Sequence, residues 1–188
     1  RRQRQMCIRD STKMVHGEGP KVRFEMPYLF LDRHGKRFMD EHAGRKIKAD
    51  AIFKVVGKDE NYPIAVCDDA IVKAINPSFV KLPLEMGTVK KFNTLEELAD
   101  AFGIKKDAFL AEVKRFNGFV KAGKDEDFNR ILTFNKGLDV SKPPFYAVEV
   151  CNKIHHTMGG VVINTNAEVI DRDGKVIPNL WAAGEVTG

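Results

Sequence analysis

The sequence predicts an α+β unit from about residue 12 to residue 144, followed over 145–188 by the edge of a different, sheet-based unit. Three observations carry this reading. Short apolar runs of strand character alternate with helical stretches through the first part. A long amphipathic segment over 106–122 sets Phe109, Leu110, Val113, Phe116 and Val120 at helical spacing. Past the charged, proline-terminated stretch 124–144, helical periodicity stops and strand-like runs separated by turns take over.

Taken in order, Tyr28-Leu29-Phe30-Leu31 reads as a buried strand, Asp32 to Lys36 as a turn and Arg37-Phe38-Met39 as the returning arm of a hairpin. The segment from His42 through Lys48 is polar, and a helix is expected from about Ala49 to Val56, stopping at Gly57. Tyr62 to Cys67 reads as a strand with its proline near the start. Asp68 and Asp69 open a short helix that Asn76-Pro77 ends, and a loop follows. Val89 to Phe92 is a short strand. Thr94-Leu95-Glu96-Glu97 is a capping box for a helix that ends at Gly103. The stretch 124–144 reads as a hinge, and Phe145 to Val150 as a strand.

The closing stretch holds the most informative chemistry. His155-His156-Thr157-Met158 runs into Gly159-Gly160, where a bare backbone can pass close to a flat or bulky group. Val161-Val162-Ile163 and a hairpin turn at Asp171-Arg172-Asp173-Gly174 follow. The latter is not a calcium loop, because the later ligands and the closing glutamate of that motif are absent. An apolar strand, expected to be buried, then breaks at Gly184 and sets Glu185 at its tip. Such an arrangement presents an acceptor to a ribose or ribityl hydroxyl of a bound cofactor. Adjacent residues on a strand point to opposite faces, which argues against His155 and His156 as paired metal ligands. Either one faces a cavity and the other what lies behind it, or one is a satisfied buried histidine and the other solvated.

Composition excludes several classes. Hydrophobic residues make up 43% of the chain, and no apolar run approaches the roughly 18 residues of a membrane span. The net charge of +5 draws heavily on Arg1, Arg2, Arg4 and Arg9, and no basic stripe interleaved with aromatics follows, so nucleic acid is not expected as a partner. Residues 1–11 fit no periodic pattern and are read as a non-native, adaptor-derived segment. The chain is expected to be a fragment truncated at both ends. Cys7, Cys67 and Cys151 form no CxxC and no Cys/His zinc spacing, so free thiols and no metal site are expected.

Five stretches in collinear order resemble one family: Gly35-Lys36-Arg37-Phe38-Met39-Asp40-Glu41, Arg115-Phe116-Asn117-Gly118 with Gly123 to Phe128, Pro144-Phe145-Tyr146-Ala147, His155 to Gly160, and Ala182-Ala183-Gly184-Glu185-Val186-Thr187-Gly188. Together they are similar to the soluble fumarate reductase branch of the fumarate reductase/succinate dehydrogenase flavoproteins. The resemblance implies an α+β capping domain (12–144), then a β-rich portion of an α/β FAD-binding, Rossmann-like domain (145–188). It implies that His155 hydrogen-bonds a dicarboxylate substrate, that His156 lies against the flavin, and that Gly159, Gly160 and Glu185 bind FAD. The family's acid-catalyst arginine follows the motif glutamate by four residues, which makes it Arg45. Asp40 stands where the family usually has asparagine and Lys46 where an aspartate often follows the arginine; if these departures alter the proton relay, Arg45 is expected to serve more as an electrostatic clamp than as an acid. His16 lies near a further substrate histidine of the family, but its spacing does not match.

The implied reaction reduces an activated C=C bond, fumarate to succinate first, by flavin hydride transfer with Arg45 as proton donor. Alternatives are another enoate such as urocanate or an acrylate-type acid, a 3-ketosteroid dehydrogenase-like reaction, or a non-catalytic flavin electron carrier. The electron donor would be a haem, an FMN domain or a separate carrier. The dinucleotide fingerprint is not in the sequence, so the chain by itself is expected to be inactive and colourless. A cytoplasmic and a cell-envelope location fit equally well.

Overall fold

The computed structural model describes residues 5–12, 28–58, 61–75, 77–135 and 137–187, with side chains for all of these except 5–12, 75, 79, 134–135 and 153–158. The chain divides into two compact units, one of residues 10–152 and one of residues 1–9 with 153–188. Among the described residues, no helix is long and apolar enough to cross a membrane.

A sheet of β1 (Gln5–Thr12), β2 (Leu29–Leu31), β3 (Ile64–Asp68) and β5 (Phe145–Met158) has the order β1-β5-β3-β2, and β4 (Lys90–Phe92) also pairs with β5. The larger unit holds β2, β3, β4 and residues 145–152 of β5. The β2–β3, β3–β5 and β4–β5 pairs are antiparallel, with Leu29 opposite Val66, Ile64 opposite Glu149 and Phe92 opposite Phe145. Every residue of β2 and β3 is buried. That explains why both read as unbroken apolar runs rather than alternating ones.

Helices α1 (Arg45–Val56), α2 (Asp69–Ile75), α3 (Ser78–Glu85), α4 (Leu95–Phe102) and α5 (Lys106–Ala122) complete the unit. The capping box of α4 is formed as expected: the Glu97 amide donates to Thr94 Oγ1 at 3.1 Å, and the Thr94 amide to Glu97 Oε2 at 3.3 Å. Gly103 and Gly123 close α4 and α5 in the left-handed conformation. The core stripe of α5 is rotated slightly from expectation. Phe109, Val113, Phe116 and Phe119 are buried, while Leu110 and Val120 are only partly so.

Two helices depart from the sequence reading. The expected loop after Pro77 contains α3, which includes Pro83. Pro77 sits at its N-cap, where a missing N–H costs nothing. The Pro83 carbonyl takes the Thr88 and Val89 amides at 3.0 and 3.2 Å and ends the turn. Helix α1 begins at Arg45, four residues earlier than expected, because only Lys48, Ala49 and Ile52 of it are buried and so narrow a face leaves no periodic signature. The stretch read as a hinge is tied down. Asn117 exchanges two 2.9 Å hydrogen bonds with the Val140 backbone, and the buried Asp68 carboxylate accepts from the Ser141 and Lys142 amides at 3.2 and 2.9 Å.

The smaller unit carries an antiparallel sheet of β6 (Val162–Ile163), β7 (Glu168–Ile170) and β8 (Val176–Trp181) in the order β6-β7-β8. The strand before Gly184 is not buried as expected. β8 is exposed along most of its length, with Trp181 60% exposed, because three short strands in which only Val169 is buried enclose no core. Its hairpin turn at Asp171 repeats the turn chemistry of Asp32. In each, one aspartate oxygen takes two following amides, and glycine adopts positive φ at the fourth position, +77° at Gly35 and +83° at Gly174.

Gly35 also seats the first turn on α5. A Cβ built there would lie 2.6 Å from the Phe109 amide nitrogen and 2.9 Å from its Cα, both backbone atoms that cannot swing away. Gly35→Ala is therefore expected to destabilise the chain by about 2–4 kcal/mol through strained φ and overpacking combined, measured as a shift in urea midpoint. Gly87→Ala, with positive φ but open space, should show only the smaller conformational part.

Candidate functional site

The sequence-predicted residues fall on both units, and each half has its own construction. In the larger unit the motif Gly35 to Glu41 feeds a buried set of charges and then delivers Arg45. Among the described residues the returning arm makes a single bridge, Leu31 to Arg37, where the Arg37 side chain turns into the core. Its guanidinium donates to Glu41 from Nε at 2.9 Å and Nη2 at 2.8 Å. It also donates to Asp125 from Nη1 at 3.2 Å and Nη2 at 2.9 Å. Arg130 Nη1 reaches the second oxygen of Glu41 at 2.9 Å and the Tyr28 carbonyl at 2.9 Å. All four side chains are fully buried, two cations against two anions.

Aromatic faces complete the enclosure. The Arg37 and Arg130 guanidinium carbons lie 4.9 and 5.3 Å from the Phe116 ring, and Arg37 lies 5.1 Å from that of Phe128. Burial by itself would lower the Arg37 pKa, but pairing with Glu41 and Asp125 outweighs it and holds the group above the usual arginine range. For Asp125, burial pushes upward. The Arg37 hydrogen bonds and charge and the Asp127 and Phe128 amides reverse this and hold the carboxyl below its ordinary value. Sequence reading saw Arg37 and Glu41 as a motif without their role, and did not single out Arg130. No local signal marked them: Glu41 stands among Lys36, Arg37, Asp40 and His42, a polar stretch that gives no sign of burial.

From Glu41 the chain turns tightly. The Asp40 carboxylate takes the His42 amide at 2.8 Å, and the Asp40 carbonyl takes the Ala43 amide at 3.1 Å. Gly44 is the N-cap of α1 without a side-chain cap, and the first turn contains no acid. Arg45 and Lys46 are thus two exposed cations at a helix start whose dipole is already positive, an arrangement suited to an anion. Lys46 pairs with Asp50 one turn on. Asn152 Nδ2 donates to the Ala49 carbonyl at 2.9 Å and ties α1 to β5.

In the smaller unit, His155 and His156 lie on β5, but their side chains are outside the described residues, as is His16 altogether. The segments after them are brought together: the Val161 amide donates to the Val186 carbonyl at 2.9 Å, joining the Gly159-Gly160 step to the Gly184–Thr187 turn that carries Glu185. Gly159 has φ +125°, which side-chained residues rarely adopt, and a Cβ there would meet nothing within 4 Å. Glu185 is exposed on the turn that the Val161–Val186 hydrogen bond joins to the Gly159-Gly160 step. Bare backbone next to an exposed carboxylate fits a hydroxyl-bearing cofactor such as FAD.

No group of three metal-ligating side chains occurs among the described residues. Cys67 is buried, its thiol pushed up to about 12 by burial and the neighbouring Asp68, so it is no nucleophile at neutral pH.

Comparison with known proteins follows the same lines. The FAD binding domain family matches residues 6–188. The chain is 37% identical over 165 residues to the NADH:acrylate oxidoreductase of Vibrio harveyi, covering 86% of this chain and 16% of that protein. It is 35% identical over 177 residues to a fumarate reductase (cytochrome) of Shewanella frigidimarina, covering 94% and 28% respectively. The open conformation of a flavocytochrome c3 fumarate reductase superposes with a TM-score of 0.77 at 32% identity, over 95% of this chain and 30% of that one. The chain therefore spans well under half the length of these relatives.

The closed charge set makes a pH prediction. Asp125 is depressed, so its stabilisation is complete above the unfolded value near 3.9 and is lost as pH falls through the lower folded value. Asp125→Asn is expected to cost about 3–5 kcal/mol at pH 7 and to flatten the acid limb of stability, read from urea midpoints between pH 2 and 7.

Proposed function

The chain belongs to the FAD binding domain family, and on that premise we propose that it is part of an FAD-dependent oxidoreductase that reduces an activated carbon–carbon double bond, with fumarate as the leading substrate. The observation that carries this reading is Arg45 at the exposed, acid-free start of α1, directly after the turn held by Glu41. Residues 12–144 would serve as the capping domain and 145–188 as part of the FAD-binding domain.

When bound, FAD supplies the hydride. Glu185 would accept a hydrogen bond from a hydroxyl of the cofactor, with Gly159, Gly160 and His156 alongside it. His155 would orient a substrate carboxylate, and Arg45 would deliver the proton to the alkene carbon that does not receive hydride. Arginine keeps its proton up to a pKa above about 12, so each turnover requires it to be recharged. With Lys46 in the place of an aspartate and paired to Asp50, Arg45 also acts as an electrostatic clamp on the substrate carboxylate. The electron donor would be a haem, an FMN domain or a separate carrier.

A second substrate is supported by a specific observation: the acrylate-linked relative is as similar to this chain as the fumarate-linked one. The two readings separate in the full flavoprotein that carries this chain, assayed by oxidation of a reduced viologen with fumarate, acrylate and urocanate. Turnover with fumarate that drops at least about 100-fold in Arg45→Ala is the expected result. Turnover only with acrylate or urocanate would keep Arg45 and replace the substrate. A flavin-containing protein silent with all three would contradict the reductase reading.

A further inference from the structure

We propose that Arg130 is a positioning residue for Arg45, acting through the turn at residues 40–43; the inference rests on Arg45 being the proton donor. Arg130 comes from the loop after α5, far from Arg45 in sequence, yet it grips the turn at two successive residues. Its Nη1 holds the second oxygen of Glu41 at 2.9 Å, and its Nη2 lies 3.3 Å from Nε2 of His42. A guanidinium has donors only, so His42 accepts at Nε2 and carries its proton on Nδ1. The same Nη1 also donates to the Tyr28 carbonyl at 2.9 Å, which fixes the turn against the entry to β2.

The turn leads directly into the helix start. Gly44 has no side chain to cap α1, and a Cβ there would touch nothing within 4 Å. The backbone of Arg45 is flanked on its N-terminal side by the turn and on its C-terminal side by the buried Lys48, Ala49 and Ile52, so a shift of the turn carries Arg45 with it. A buried ion network is a poor source of net stability, since apolar side chains of equal volume commonly do as well. Orientation is the property such a network supplies and apolar packing does not: planar, two-pronged donors fix both angle and distance.

The test is a mutant cycle in the full flavoprotein. Arg130→Lys keeps one charge for Glu41 but cannot span Glu41, His42 and Tyr28 together. It is expected to retain flavin and melting temperature within a few degrees, to lower kcat about 10- to 100-fold and to leave KM for fumarate unchanged. In an Arg45→Ala background, the same substitution should change the residual rate less than twofold. His42→Leu, which removes only one of the grips, should show the same pattern at smaller amplitude and serves if Arg130→Lys does not fold. An equal fold-loss in both backgrounds, or an unchanged kcat in Arg130→Lys and His42→Leu, would overturn the inference while leaving Arg45 as donor. Full turnover in Arg45→Ala alone would overturn the donor reading and this inference with it.

Discussion

The larger unit depends on one carboxylate shared between two buried arginines. Glu41 has no solvent, and its one neutral contact among the described residues is the Phe30 amide at 3.4 Å. It exists in the core only because Arg37 takes both its oxygens and Arg130 shares one of them. Asp125, bonded to Arg37, supplies the second negative charge of the set. The arithmetic of charge is closed, and so is the arithmetic of chain: Arg37 and Glu41 lie on one turn, Asp125 and Arg130 on a loop about ninety residues later, and Phe116 of α5 lies under both guanidiniums. Three separate stretches are thus held at a single point, and α1 starts four residues beyond it.

This explains which parts of the fold were legible in the sequence. Elements with a local cause were readable: the Thr94–Glu97 capping box, α5 from Lys106 to Ala122, and the two aspartate–glycine turns at Asp32 and Asp171 all follow from nearby residues. Elements caused at a distance were not. The start of α1 at Arg45 follows from the turn behind it rather than from any periodicity in 42–48. Helix α3 was hidden because Pro77 and Pro83 are local breakers that tertiary contacts accommodate. Arg130 could not be chosen among many arginines, since its partner lies 89 positions earlier.

For the site the division is similar. The Gly159-Gly160 step and the Glu185 turn were found as separate signals, and the Val161–Val186 hydrogen bond joins them. The buried strand expected before Gly184 is instead exposed, because burial depends on neighbours that β8 does not have within its own three-stranded sheet. A strand's apolar composition states what it can bury, not what covers it.

The central claim is that Glu41 is the fastener of the larger unit, and the most direct measurement is the unfolding free energy of Glu41→Gln in this chain, from urea titration at pH 7. Glutamine keeps the shape but removes the charge and puts an NH2 donor where one acceptor oxygen met arginine donors, which leaves two buried arginines facing one aspartate. A loss of about 3–5 kcal/mol is the predicted result. A loss below about 0.5 kcal/mol, the size of an ordinary surface substitution, would contradict the account.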